Sequence, residues 1–283
     1  MATFTNQAQL NFNGNVSVSN ITTGTLIEVL SATKTSVSSS YAPGDNVTYV
    51  LSLINSGATA LTNLTVTDDL GGYTEDDTVY PLTYVTGSVR YFVNGVLQAT
   101  PSVTAGPPLV ITGISVPADG NVILVYEATV NEFASPEPDG TIVNTATVTG
   151  DGIPTPITAT ATIPTTDAAS LRISKSISPS TVSEDDRLTY TFVIQNFGNT
   201  ATTVSDNLVL TDTFNPILTD LVVTYNGITW ESPTNYTYDE STGLFSTVDG
   251  QLIVPAATFT QNPTTGEWET TPGVATLVVT GTV

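Results

Sequence analysis

The chain has 283 residues, with 26 acidic against 5 basic side chains and neither cysteine nor histidine. A formal charge of -21 argues against a nucleic-acid partner, because phosphate binding requires clustered Lys and Arg, and it favours solubility at high concentration. The missing Cys and His remove disulfides, thiol nucleophiles, His-based triads and ordinary zinc sites together.

Met1 leads directly into a polar, strand-like segment with neither a charged n-region nor an apolar h-region, so no signal peptide is visible. No run is long enough for a transmembrane helix, and membrane insertion is not expected. Throughout the chain Thr, Val, Ile and Tyr recur in short alternating runs separated by Gly, Pro, Asn and Asp, the pattern of strands joined by turns. An all-β fold with no helix is expected.

Residues 1–25 read as a free-standing strand, a turn at Asn13-Gly14 and a Ser/Thr-rich linker. Residues 26–166 read as a first β-sandwich whose end, from Gly152-Ile153-Pro154-Thr155-Pro156 onward, is a connector. Residues 167–283 read as a second sandwich. Asn94-Gly95 and Asn226-Gly227, each between apolar runs, are hairpin turns at equivalent places in the two.

The division into two follows from an internal repeat of about 140 residues. The first copy reads Lys34, then Gly44-Asp45-Asn46-Val47-Thr48-Tyr49, Asn55-Ser56-Gly57 and Leu64-Thr65-Val66-Thr67-Asp68. The second reads Lys175, then Asp185-Asp186-Arg187-Leu188-Thr189-Tyr190, Asn196-Phe197-Gly198 and Leu208-Val209-Leu210-Thr211-Asp212. Lys34 and Lys175 are the chain's only lysines, and they fall in register. The first copy continues into Thr141-Ile142-Val143-Asn144-Thr145-Ala146-Thr147-Val148. The second has no such segment after it, but Thr3-Phe4-Thr5-Asn6-Gln7-Ala8-Gln9-Leu10 matches it at the opposite end of the chain.

Strand parity tests this alignment, since a one-residue slip exchanges core for solvent. Ile142, Asn144, Ala146 and Val148 share a face, as do Phe4, Asn6, Ala8 and Leu10. Leu30, Ala32 and Lys34 match Leu171, Ile173 and Lys175, while Leu64, Val66 and Asp68 match Leu208, Leu210 and Asp212. Each set aims a polar residue at the core, which is costly unless those residues satisfy or react with one another.

These motifs resemble the bacterial conserved repeat catalogued as domain of unknown function eleven, over nearly the whole chain. The resemblance implies immunoglobulin-like β-sandwiches of surface and appendage proteins. More distantly, the chain is similar to the collagen-adhesin B-type domains of pili, in which a first-strand lysine is joined to a last-strand asparagine by an isopeptide bond. Where that family uses a glutamate as assisting acid, both copies here share an aspartate.

The residue chemistry is compatible with such a bond. Burial drives a lysine toward its neutral, nucleophilic amine and a carboxylic acid toward its protonated form, which polarises an amide and carries protons as ammonia leaves. Lys34, Asp68 and Asn144 form the expected intramolecular triad, with Glu127 as a rival acid whose counterpart is Thr280. The bland reading is a Lys-Asp ion pair with Asn nearby. Lys175 and Asp212 lack an asparagine of their own, and Asn6 of a neighbouring subunit supplies one if the segment from Ala2 to about Phe12 is donated as a strand. Three other readings stay open: the N-terminal strand folds back on its own chain, it pairs elsewhere in the first domain, or the chain is part of a longer array.

The expected function is that of a structural, non-enzymatic subunit of an extracellular, cell-surface or spore-surface fibre, partnered head to tail with itself and needing no cofactor. A monomeric adhesin or stalk module binding a ligand through its loops is the alternative. Glu75-Asp76-Asp77 and Glu184-Asp185-Asp186 are acidic loops able to take calcium, though solvated turns are the simpler reading. Trp230, Trp268, Tyr80, Tyr84 and Tyr91 suit either a carbohydrate platform or, more ordinarily, strand packing.

Overall fold

The computed structural model describes residues 2–26, 29–74 and 77–283. These form antiparallel sheets, and the one helical element among them is a single 3-10 turn, Val204–Asp206. The fold is all-β, with two sandwiches in tandem.

The N-terminal residues differ from the expected strand and linker. β1 (Ala2–Asn6), β2 (Gln9–Phe12), β3 (Asn15–Val18) and β4 (Thr22–Leu26) fold into one interrupted hairpin, in which β2 pairs with β3 and β1 with β4. The Asn13-Gly14 turn closes it with positive φ at both residues (47° and 79°), the geometry that matches strand twist. The supposed linker after residue 20 carries β4, whose Thr22, Thr23 and Thr25 supply the backbone ladder to β1 as well as a conventional strand does. Leu10, Phe12, Val16 and Val18 lie exposed on this hairpin. The side chain of Phe4 lies outside the described residues.

The first sandwich has two sheets. One runs β12 (Val96–Leu97), β11 (Arg90–Val93), β15 (Gly120–Val130), β6 (Asn46–Asn55), β5 (Leu30–Ser36), with β10 (Leu82–Tyr84) also paired to β15. The other runs β13 (Ser102–Thr104), β14 (Leu109–Val116), β7 (Leu61–Asp68), β16 (Thr141–Thr149), β17 (Ile157–Pro164). A two-stranded flap, β8 (Tyr73–Thr74) with β9 (Thr78–Val79), sits beside them. Inward residues of both sheets, among them Leu51, Leu53, Leu124, Leu64, Val66, Ile111 and Val148, make one core. Residues 157–164, expected as part of a connector, are instead a strand paired with β16 along its length. Their alternation uses the small residues Ala159 and Ala161, so its apolar signal is weak, but both are buried.

The second sandwich is built on the sheet β18 (Leu171–Ser178), β19 (Arg187–Asn196), β27 (Gly273–Thr282), β21 (Thr219–Tyr225), β22 (Ile228–Trp230). Facing it is a smaller sheet, β20 (Thr211–Thr213), β24 (Leu244–Thr247), β23 (Tyr236–Asp239). Tyr190, Phe192, Leu277 and Val279 pack from one side against Phe214, Phe245, Leu252 and Val254. A hairpin, β25 (Thr258–Gln261) with β26 (Trp268–Thr271), reaches the first sandwich, where Gln261 donates to the Tyr73 hydroxyl at 2.7 Å. The expected turns at Asn94-Gly95 and Asn226-Gly227 close β11–β12 and β21–β22, again with positive φ at each residue.

The repeated asparagines and aspartates outside the triads hold turns. Asn55 accepts from Gly57 N (2.9 Å) and donates to Thr59 O (2.9 Å) and Pro117 O (3.0 Å), tying its turn to the opposite sheet. Asn196 does the same with Gly198 N (2.9 Å), Thr200 O (2.7 Å) and Pro255 O (3.1 Å). Asp45 and Asp186 cap equivalent turns through Ala42 N and Ser183 N.

Candidate functional site

Three strands of the first sandwich aim polar residues into its core. β5 buries Leu30 and Lys34, β7 buries Leu64, Val66 and Asp68, and β16 buries Ile142, Asn144, Ala146 and Val148. Lys34 Nζ donates to Asp68 Oδ2 at 2.6 Å across the sandwich, and both side chains are closed to solvent (0% and 1% exposed). Asp68 is the register partner of Ala146, so Asn144 lies one pleat along the same face of β16. The backbone locks this register, with Asp69 N donating to Thr145 O at 3.0 Å and Thr145 N to Asp69 Oδ1 at 2.8 Å.

Two tyrosines complete the site. Tyr49 of β6 and Tyr126 of β15 are register partners whose rings stack with centroids 5.6 Å apart. Lys34 Nζ lies 4.8 Å from the Tyr49 ring centre and 5.9 Å from that of Tyr126. The Tyr126 hydroxyl donates to Asp68 Oδ2, and Leu70 N donates to Asp68 Oδ1 at 3.1 Å. The Asn144 carboxamide stands against the Tyr49 and Tyr126 hydroxyls. Neither its nitrogen nor its oxygen, nor the Tyr49 hydroxyl, makes a hydrogen bond of normal geometry with the described residues.

Sequence reasoning missed both tyrosines as members of the site. Tyr49 was visible as the end of a repeated motif, and Tyr126 follows from parity with Leu124 and Ala128. Glu127, the rival acid, occupies the opposite face of β15, where its backbone N accepts no role at the site but donates to Ser88 Oγ at 3.0 Å.

Burial dominates the electrostatics. It holds the Lys34 amine below the usual lysine value of 10.5, although the Asp68 carboxylate pulls the other way. It also raises the Tyr49 and Tyr126 hydroxyls well above 10.0, with the neighbouring Asp68 charge adding to the effect. The site therefore gathers an amine biased toward its neutral form, a carboxyl group in hydrogen-bond contact with it, and a carboxamide, all three buried.

The second sandwich holds the same pair in a different setting. Lys175 Nζ donates to Asp212 Oδ2, and it lies 4.3 Å from the Tyr190 ring centre and 5.4 Å from that of Phe192. Here the side chains are 39% and 20% exposed. Tyr190 matches Tyr49, but its partner on β27 is Val279 where the first sandwich has Tyr126. Every residue of β18 is exposed. β20 pairs with β24 on one side, and among the described residues no strand pairs with its other edge, where β7 has β16 in the first sandwich. Asn6, expected as the missing partner, pairs with Thr22 within the N-terminal hairpin and is exposed, so one chain does not bring it to Lys175 or Asp212.

Other candidates are absorbed by the fold. Tyr84, Tyr91 and Trp230 are core residues. Glu75 and Asp76 lie outside the described residues, Asp186 is occupied by its own turn, and among the described residues no cluster of three or more His, Cys, Asp or Glu side chains suits a metal ion. No described helix is long and apolar enough to cross a membrane.

No protein-family model matches the sequence, the conserved-repeat family included, and no curated protein matches it. Solved structures of similar fold include the major pilin subunit of Bacillus cereus (11% identity, TM-score 0.39, covering 96% of this chain and 73% of that one). A 35 kDa C-terminal fragment of the major pilin of Streptococcus agalactiae is similar at 13% identity and TM-score 0.37, over 80% of each chain. The collagen-binding subdomain of an Enterococcus faecalis surface protein matches at 8% identity and TM-score 0.31, over 50% of this chain and 99% of that one. These neighbours are pilin and collagen-adhesin domains, and at such scores the likeness says nothing of function, which rests on the site itself.

Proposed function

We propose that this protein is the structural subunit of an extracellular or spore-surface fibre. Subunits join head to tail when the N-terminal segment of one enters the second sandwich of the next, and Lys-Asn isopeptide bonds lock the joints and the first sandwich. The observation that carries this reading is the contrast between two copies of one site. Lys34 and Asp68 are sealed beneath the strand that bears Asn144, whereas Lys175 and Asp212 stand half open beside an unpaired strand edge.

An unpaired edge next to an exposed strand recruits another strand, and an edge-to-segment contact between unlike surfaces does not close on itself. The exposed Leu10 and Phe12 on the N-terminal hairpin supply apolar surface for that contact. Burying each such side chain is worth about 1.5–3 kcal/mol.

At the first site the neutral Lys34 amine attacks the Asn144 carboxamide carbon. The Nζ–Cγ bond forms, the Cγ–Nδ2 bond breaks, and Asp68 passes the amine proton to the departing nitrogen. Amine and primary amide become secondary amide and ammonia, with no other reactant. Asp68 is placed for this by its 2.6 Å contact with Nζ, and Tyr126 fixes its orientation. Each site reacts once, so the chemistry is assembly and not turnover.

Electron microscopy and size-exclusion chromatography of the purified chain test the reading. Filaments are expected from the full chain, and monomers after deletion of residues 2–20. Filaments from the truncated chain would overturn strand donation, and a full chain that stays monomeric at high concentration would favour an adhesin or stalk module.

A further inference from the structure

We infer that the donated unit is the two-stranded hairpin of residues 2–26 and not β1 alone, an inference that rests on the strand-donation reading above. In the first sandwich the strand bearing Asn144 does not act singly. β16 is paired along its length with β17, and Asn144 faces Ala161 across that ladder. β17 in turn lies against β5, whose following segment it grips through Tyr41 N to Pro164 O (3.0 Å), Thr166 N to Tyr41 O (2.7 Å) and a parallel bridge between Tyr41 and Thr165. Ala159, Ala161 and Ile163 of β17 close that side of the core, over the strand that carries Lys34.

The N-terminal hairpin reproduces this unit. β1 and β4 pair antiparallel, with Asn6 facing Thr22 as Asn144 faces Ala161. The offsets to the next lysine agree as well: Asn6 precedes Lys34 by 28 residues, and Asn144 precedes Lys175 by 31. The chain therefore reads as hairpin, sandwich body, hairpin, sandwich body, and the first body is completed by the hairpin that follows it. The exposed β18 and the edge of β20 that no described strand pairs are the surfaces such a hairpin covers, and the N-terminal hairpin of another copy of this chain has the matching pairing.

The vacant surface has the width of two strands. One strand added to the free edge of β20 would cover Asp212 and leave β18 bare. In the first sandwich Leu30 of β5 is 6% exposed under β17, whereas its counterpart Leu171 is 37% exposed and the neighbouring Ile173 60%. A hairpin places β1 beside β20 and β4 over β18, covering both. The match is imperfect at one point, since Gly24 faces Phe4 where Ile163 faces Ile142, so β4 fills less of the volume over β18.

A disulfide across the hairpin separates the two modes of donation. Thr5 and Thr23 are direct partners on exposed positions of β1 and β4, on the face opposite Asn6. Directly opposed antiparallel residues lie within disulfide reach, and the chain has no other cysteine to compete. A Thr5→Cys/Thr23→Cys chain should assemble equally well oxidised and reduced, because the hairpin enters intact. Assembly when reduced but loss of assembly when oxidised would show that β1 must leave β4, and would overturn the inference while leaving strand donation standing. As a second test, residues 22–26 are replaced by Gly and Ser. Loss of filaments is expected, and filaments of normal length would again mean that β1 suffices. If the unaltered chain forms no filaments at all, strand donation itself fails, and this inference with it.

Discussion

Asn144 and Tyr49 meet inside the first sandwich, and neither the carboxamide of one nor the hydroxyl of the other makes a hydrogen bond of normal geometry with the described residues. Each buried polar group left unpaired costs about 1–3 kcal/mol. An asparagine held there at that cost, beside a lysine stripped of solvent, is explained if the carboxamide is a reactant. The chain lacking residues 2–20, which stays monomeric, should then have an intact mass lower than its sequence mass by one ammonia. A folded chain with full mass would reduce Lys34, Asp68 and Asn144 to a polar cluster.

Asp68→Ala should restore the full mass, since it removes the group that carries the proton. It should also leave the Lys34 amine buried without a partner. Breaking a closed pair in this way costs about 3–5 kcal/mol, measurable as a lower denaturation midpoint for the first sandwich. A variant that keeps the mass loss would transfer the acid role elsewhere.

The two lysine environments give a pH signature. In Asn144→Ala the bond cannot form and Lys34 stays titratable, with its folded pKa below the 10.5 of the unfolded chain. The unfolded state then binds more protons between those two values, so stability rises as pH climbs through the depressed pKa toward 10.5. Above about 10 the Tyr49 and Tyr126 hydroxyls, raised in the folded state, reverse the trend. In the cross-linked chain Lys34 is an amide and cannot titrate. The stability gap between the two proteins should therefore narrow with rising pH up to that point, and a constant gap would contradict the assignment.

Asn55→Ala tests the part of the repeat that serves the fold alone. It removes a buried side chain with bonds to Gly57, Thr59 and Pro117, and it leaves buried carbonyls unsatisfied. A loss of about 2–4 kcal/mol is expected with cross-linking unchanged, read by thermal unfolding together with intact mass.

Much of this arrangement is legible in the sequence because strand parity is unforgiving. The inward faces of Leu30 to Lys34, Leu64 to Asp68 and Ile142 to Val148 follow from alternation, and the Asn-Gly turns follow from the positive φ that their hairpins require. Two strands escaped for one reason. Residues 157–164 and 22–26 are centred on Thr with Ala or Gly, whose small side chains make a sound ladder but a faint hydrophobic signal, and prolines before 157 suggest a connector. Tyr126 escaped because only the register of β15 on its neighbour β6 stacks it on Tyr49, and register between strands far apart in sequence is a tertiary fact.

The second sandwich should be the weaker one until it receives a partner. A peptide of residues 2–26 added to the chain lacking residues 2–20 should bind the folded form and raise the stability of that sandwich, by about 2.7 kcal/mol at a hundredfold excess over Kd. No change in its unfolding would mean that the exposed face of β18 and the edge of β20 are not the receiving surface.

The central claim is that Asn6 of one subunit meets Lys175 and Asp212 of the next as Asn144 meets Lys34 and Asp68, and that proximity then drives the same condensation. Purified filaments are boiled in detergent, digested with trypsin and analysed by mass spectrometry. The expected result is a ladder of multimers and a branched peptide joining the Asn6 segment to the Lys175 segment, lighter by one ammonia than the sum of its parts. With Lys175→Arg the filaments should dissolve to monomers on boiling. A ladder that survives Lys175→Arg unchanged, or filaments whose digest holds only linear peptides around Asn6 and Lys175, would contradict the account.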